Sequence, residues 1–219
     1  MSSEKDFSTD DFKLSPKHFD ALQEIGNIGA GNAVTALSKM FDKRIDMELS
    51  NIKVLDFNNV CTFIGGADNI VTAVLTKIHG EKLDGIMMFM MEYKCCHMLI
   101  NNLLNPGTVP DVIRLENEGL TEMELSAITE VGNILTSSYL NAISELLNKR
   151  IGTSVPYLSI DMAGAILSVP AIEFSKVSDK VLFVESNFKL DNIDTSGYFL
   201  LVPDLEAFKH IFSLIGMAL

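Results

Sequence analysis

The stretch Asp20-Ala-Leu-Gln-Glu24-Ile-Gly-Asn27 returns 106 residues later as Ser126-Ala-Ile-Thr-Glu130-Val-Gly-Asn133. The likeness continues through Ala36 with Ala142, Ser38 with Ser144, and Lys43-Arg44-Ile45 with Lys149-Arg150-Ile151. Ten of the 31 positions from Asp20 to Ser50 are identical in the two copies. Self-similarity at one fixed offset marks a duplicated structural unit. A chain built this way is expected to fold as two related halves.

A helix turns about 100° per residue, so offsets 0, 4 and 7 fall near 0°, 40° and −20° around its axis. Asp20, Glu24 and Asn27 share one narrow stripe on that reading, and Ser126, Glu130 and Asn133 share another. The apolar set Phe19, Leu22, Ile25, Ala33, Ala36, Leu37 and Met40 lies mostly elsewhere, as in a helix that buries its other side. One turn further along each stripe come Gly31 and Ser137, small enough to leave a flat landing place over Glu and Asn. The helix starts are signalled alike: Ser15-Pro16 reads as an N-cap followed by proline at the first helical position, and Thr121-Glu-Met-Glu124 reads as a capping box. Gly26, Gly29 and Gly31 resemble a phosphate-binding loop, but no strand precedes them and only Gly26 recurs, so close helix packing is the expected role.

Beyond the first helix, Arg44 to Asp56 and Ile70 to Ile78 read as strands, and Ile86-Met-Met-Phe-Met-Met91 as a buried central one. A helix follows over Glu92 to Leu104, and Asn105 to Asp111 supplies breakers. The second half repeats the plan, with Arg150 to Ile160, Lys180 to Glu185 and Tyr198 to Val202 extended and a closing helix over Asp204 to Met217. The expected fold is α+β: duplicated helix and antiparallel-strand units related by a pseudo-twofold axis, forming one continuous sheet covered by long helices. Residues 1–14 are expected to be a flexible segment and 15–219 a single domain of two repeats, about 15–110 and 120–219.

A net charge of −12 without clustered Lys or Arg argues against a nucleic-acid partner and favours one with an exposed lysine or arginine. No apolar run approaches the roughly 18 residues needed to cross a bilayer, and the acidic start lacks a signal peptide's regions, so a cytoplasmic protein is expected. Cys61, Cys95 and Cys96 have no CxxC spacing and read as buried reduced thiols. The four histidines show no ligand spacing, and no Ser-His-Asp or Cys-His arrangement occurs in the repeat, so covalent catalysis and a bound metal have little support. Asparagine cannot act as a general base at ordinary pH, but its carboxamide can both accept from and donate to one water. Positioning suffices where the bond is already activated, as in an acyl phosphate.

The doubled [Asp/Ser]-x3-Glu-x2-Asn pattern, the glycine before each asparagine and Pro156 at 23 residues after Asn133 resemble the CheC/CheX/FliY family of chemotaxis phosphatases. The resemblance runs from about Ser15 to Leu219. It implies hydrolysis of the aspartyl phosphate of the response regulator CheY at two equivalent sites. Glu24 and Glu130 would pair with a lysine of the regulator, and Asn27 and Asn133 would enter its active site and orient water. Asp20 and Ser126 stand at the first motif position and would support the contact. Any Mg²⁺ would belong to the regulator. The family's proline is replaced in the first half by Ser50, which is expected to leave the strand entry less constrained and the second site better organised.

Asp161 opens a small-residue apolar run to Phe174 that has no evident counterpart in the first half, and it reads as the N-cap of an accessory helix. The family resemblance implies binding of the deamidase CheD, with this region and Asp161 as the expected contact. The alternative function is a non-enzymatic chemotaxis adaptor that binds CheD or phosphorylated CheY without hydrolysis. Internal pseudo-symmetry suggests a monomer.

Overall fold

The structure is a computed structural model that describes residues 16–80, 83–108, 119–174, 180–190 and 193–203, together with Ala207, Ile211 and Ser213. The expected flexible segment and the Ser15 cap lie outside the described residues, as does most of the closing helix. Ala207, Ile211 and Ser213 are helical, and the first two are buried.

The first half runs α1 (Pro16–Phe41), β1 (Asp46–Asp56), α2 (Val60–Phe63), β2 (Ile70–Gly80), β3 (Gly85–Glu92) and α3 (Tyr93–Leu104). The second runs α4 (Glu122–Leu147), β4 (Ile151–Thr153), β5 (Tyr157–Met162), α5 (Ala163–Phe174), β6 (Lys180–Leu190) and β7 (Ile193–Pro203). All strands join one antiparallel sheet in the order β1-β6-β7-β3-β2-β4, with β5 also on β2. The halves meet at the β3–β7 pair, where Met88 faces Leu200. Their outer strands are exchanged: β1 of the first half pairs with β6 of the second, and β4 and β5 of the second pair with β2 of the first. The expected pseudo-twofold α+β fold is thus present.

Side chains alternate across a strand, so a strand covered on both faces reads as an unbroken apolar run. Met87, Phe89 and Met91 of β3 enter the cluster that Leu22, Ile25 and Leu37 of α1 form with Ile128, Val131 and Leu135 of α4. Ile86, Met88 and Met90 enter a second cluster, with Val60 and Ile64 near α2 and Ala163, Ile166 and Leu167 of α5. Met40, placed by periodicity with the apolar set, is 47% exposed near the end of α1.

The repeated Ser…Lys-Arg-Ile segment is a helix-to-strand turn made twice. Asp42 and Asn148, 106 positions apart, are both left-handed (φ 50° and 47°), a conformation these two residue types tolerate. The next amide closes on the repeated serine's carbonyl, Lys43 N to Ser38 O at 3.2 Å and Lys149 N to Ser144 O at 3.1 Å, as in a Schellman ending.

Ser50 and Pro156 mark one further shared feature. Leu49 faces Ser186 and Asn51 faces Glu185, so Ser50 is an extra residue in β1. Residues 154–156 lie between Thr153, opposite Ile78, and Tyr157, opposite Leu75, so three residues face two. Each half therefore carries a one-residue bulge at the same repeat position. The first half builds this bulge with Ser50 where the second half has Pro156.

Candidate functional site

The signature stripes owe their exposure to what α1 and α4 bury on their other sides. A methyl group on Gly29 would lie 2.8 Å from Tyr139 Cδ1 and 3.1 Å from its Cα, so α1 passes close to α4 there. Tyr139 is held in turn by its hydroxyl, 3.0 Å from Ser186 Oγ, and by the Phe199 ring at 4.2 Å. Gly26 and Gly132, immediately before the signature asparagines, are buried against Leu49 of β1 and Val74 of β2. With those faces occupied, Asp20, Glu24 and Asn27 stand exposed on α1, and Ser126 and Glu130 stand exposed on α4. Asn133 is half-buried. Gly31 is exposed with nothing within 4 Å of an added methyl group, so packing accounts for Gly26 and Gly29 but not for Gly31, which lies open on the stripe.

The start of α4 is fixed more firmly than its sequence announces. Glu124 N donates to Thr121 Oγ1 at 3.2 Å, and Thr121 N donates to Glu124 Oε2 at 2.7 Å, completing the expected capping box. The Glu124 carboxylate is buried, and its Oε1 stands 3.3 Å from Nε2 of the buried His97 on α3. In spacing, His97 is indistinguishable from the other three histidines. The available signal was a polar residue within the apolar run Cys95-Cys96-His97-Met98-Leu99. Of the cysteines, all free, Cys96 is buried as expected, whereas Cys61 and Cys95 are half-buried.

Asp161 is exposed in β5, opposite Val71, and accepts a hydrogen bond from Met162 N at 2.7 Å. It does not cap α5, which begins at Ala163. The first amides of that helix are taken by the 67–69 loop, Ala163 N to Asn69 O at 2.8 Å and Gly164 N to Ala67 O at 2.9 Å. Nor is α5 without a counterpart. The turn Phe57–Asn59 and α2 follow β1 as α5 follows β5, on the same face of the sheet and 106 positions earlier.

The two halves fill that face differently. Phe63 packs on Phe183 with ring centroids 5.5 Å apart, Phe183 stacks on Tyr198, and Lys53 Nζ lies 4.3 Å from the Phe63 ring centre. In the sheet Lys53 faces Phe183, and by the same pairing Ser159 faces Ala73. Ala73, Met88, Ser159 and Val169 there line an open groove of about 490 Å³. Small residues in place of an aromatic cluster leave it unfilled.

The CheC-like family model matches this chain twice, over residues 18–48 and 123–160, which contain both signatures. The chain is 32% identical over 208 residues to CheY-P phosphatase CheC of Bacillus subtilis, covering 94% of this chain and 97% of that one. It belongs to the CheC-like family. Thermotoga maritima FliY shares the fold with a TM-score of 0.70 at 25% identity, covering 93% of this chain and 98% of that one. CheX from Borrelia burgdorferi, solved with CheY, has the same fold at a TM-score of 0.50 and 12% identity, covering 83% of this chain and 99% of that chain. In this CheC-like chain, no helix among the described residues is long and apolar enough to cross a membrane.

Proposed function

We propose that this CheC-like chain is a hydrolase acting on phosphorylated CheY, with one site on each signature helix. In each, the exposed glutamate, Glu24 or Glu130, pairs with a lysine of the regulator. Asn27 or Asn133 inserts beside the aspartyl phosphate and holds a water in line with the scissile bond. The water oxygen attacks phosphorus and the P–O bond to the aspartyl carbonyl breaks. The products are inorganic phosphate and a free carboxylate, and the water's protons pass to solvent and phosphate. The amide contributes orientation, which is sufficient where the leaving group is already activated. Asp20 and Ser126 support the contact, and any Mg²⁺ is held by the regulator.

The observation that carries this reading is the presence of the same Glu and Asn, at the same spacing, on two helices whose opposite faces are packed to glycine distance. The test is the decay of phosphorylated CheY with Mg²⁺ present, on adding wild-type protein, Asn27→Ala, Asn133→Ala and the double variant. Acceleration by wild type that the double variant lacks supports two hydrolytic sites. Binding without acceleration would leave the protein an adaptor. The water-positioning amide separates these readings because it governs rate far more than affinity.

A CheD contact at the head of α5 is the second reading. Tyr157 and Val169, 67% and 57% exposed, line the groove on the α5 side of the sheet, Ile172 of α5 is 76% exposed, and Asp161 of β5 is exposed beside them, an apolar surface next to a carboxylate that suits a protein partner. Asp161→Lys is expected to abolish CheD binding in a pull-down while sparing basal phosphatase activity, and retained binding removes this reading.

A further inference from the structure

We propose that His97 is a positioning residue for the second signature site, acting through Glu124 on the start of α4. The proposal rests on the phosphatase reading of Ser126, Glu130 and Asn133. The first turn of a helix is where it frays, because its amides lack partners within the helix. In α4 that turn is tied twice to one carboxylate. Glu124 Oε2 accepts from Thr121 N at 2.7 Å and from Thr121 Oγ1 at 2.9 Å, while Oε1 faces His97 Nε2 at 3.3 Å. Both side chains are almost fully buried, His97 at 1% and Glu124 at 6% side-chain exposure. The capping box alone would order the turn locally. The contact with His97 also fixes it to α3, and so to the first half of the molecule.

Ser126 follows Glu124 by two residues, and Glu130 lies about 9 Å beyond Glu124 along the axis at the usual rise. A shift or fraying of this turn reaches Ser126 first and the docking glutamate after it. Asn133 is less exposed to it, because Gly132 seats the helix on Val74 just before it. The first signature helix has His18 where the second has Glu124, so its sequence supplies no carboxylate for such a tie. His97 is therefore expected to serve one site and not the other, which separates it from a residue that merely fills the core.

The experiment uses the full chain with one site silenced at a time. In the Asn27→Ala background, where the second site works alone, His97→Leu is expected to raise KM for phosphorylated CheY several-fold with a smaller change in kcat. In the Asn133→Ala background it is expected to leave both unchanged. His97→Gln, which keeps a side-chain N–H donor, is expected to recover most of the loss. Hydrogen exchange followed by mass spectrometry is expected to show faster exchange in residues 122–130 and none in 20–27. Equal kinetic losses in the two backgrounds, or unchanged exchange in 122–130, would overturn the proposal. If His97→Leu does not fold, His97→Gln and Glu124→Gln carry the same comparison. Undiminished activity in the Asn27→Ala/Asn133→Ala double variant would sink the assignment of the signature helices as the hydrolytic sites instead, and the exchange data would still decide whether His97 holds the turn.

Discussion

Gly132 lies against Val74 so closely that a methyl group in its place would stand 2.4 Å from Val74 Cγ2 and 2.5 Å from Cβ. Its counterpart Gly26 would bring a methyl group 2.9 Å from Leu49 Cδ2, the far end of a half-buried side chain that can rotate aside. Gly132→Ala is therefore expected to destabilise the protein by about 1–3 kcal/mol, as overpacking does. Gly26→Ala is expected to be near neutral, since alanine recovers about 1 kcal/mol of helix propensity. Urea unfolding of the two variants measures the difference, and the reverse order would contradict this account.

The two signature helices are not seated alike. Asn133 is half-buried above a rigidly seated glycine, while Asn27 is exposed above a yielding leucine. Asn133→Ala is expected to remove the larger share of phosphatase activity. Initial rates of CheY-P hydrolysis rank the two single variants, and equal losses would refute the ranking.

Because Ser50 is the extra residue of a bulge in an edge strand, proline should be accepted there. Ser50→Pro is expected to change stability by less than about 1 kcal/mol, with any gain coming from a more restricted unfolded chain. A thermal melt checks this. A large loss of stability would mean that the Ser50 amide is needed in the ladder.

Burial pushes the Cys96 thiol up from an ordinary 9.0 to about 12. Burial likewise pushes the Tyr139 phenol up from 10.0 to about 12, against its bond with Ser186. In the unfolded chain both groups release their protons at the lower values, so between about pH 9 and 12 the native state holds more protons. Stability should then fall as pH rises, by up to about 1.4 kcal/mol per unit for each group. Urea midpoints from pH 8 to 11 are expected to fall less steeply in Cys96→Ala, and in Tyr139→Phe above pH 10. Unchanged slopes would count against these protonation states.

The signature stripes were legible because polar residues at offsets 0, 4 and 7 contrast with apolar residues around the same helix. The central strand was legible because Ile86 to Met91 buries both faces. What escaped the sequence depends on distant partners. Nothing local in Cys95-Cys96-His97 names Glu124, 27 positions away, as its neighbour. Asp161 looks like a cap until β5 is seen to extend through Met162, which leaves the 67–69 carbonyls to meet the helix. The kinship of α2 with α5 was hidden because the first copy is only one short turn. Ser50 gave no sign of a bulge, since the proline that marks it in the second half is missing.

The exchanged outer strands also govern how the molecule can be made. Asp56 and Lys180, paired in the sheet, are 124 positions apart in the chain. Pairings across such spans are slow to form and leave strand edges exposed meanwhile. A ribosome that has released only the first half presents β1 without its neighbour and β2 with one side open. The hairpin of β6 and β7 supplies β1's neighbour and covers the free side of β3, so the nascent chain cannot complete its sheet until the last strands emerge.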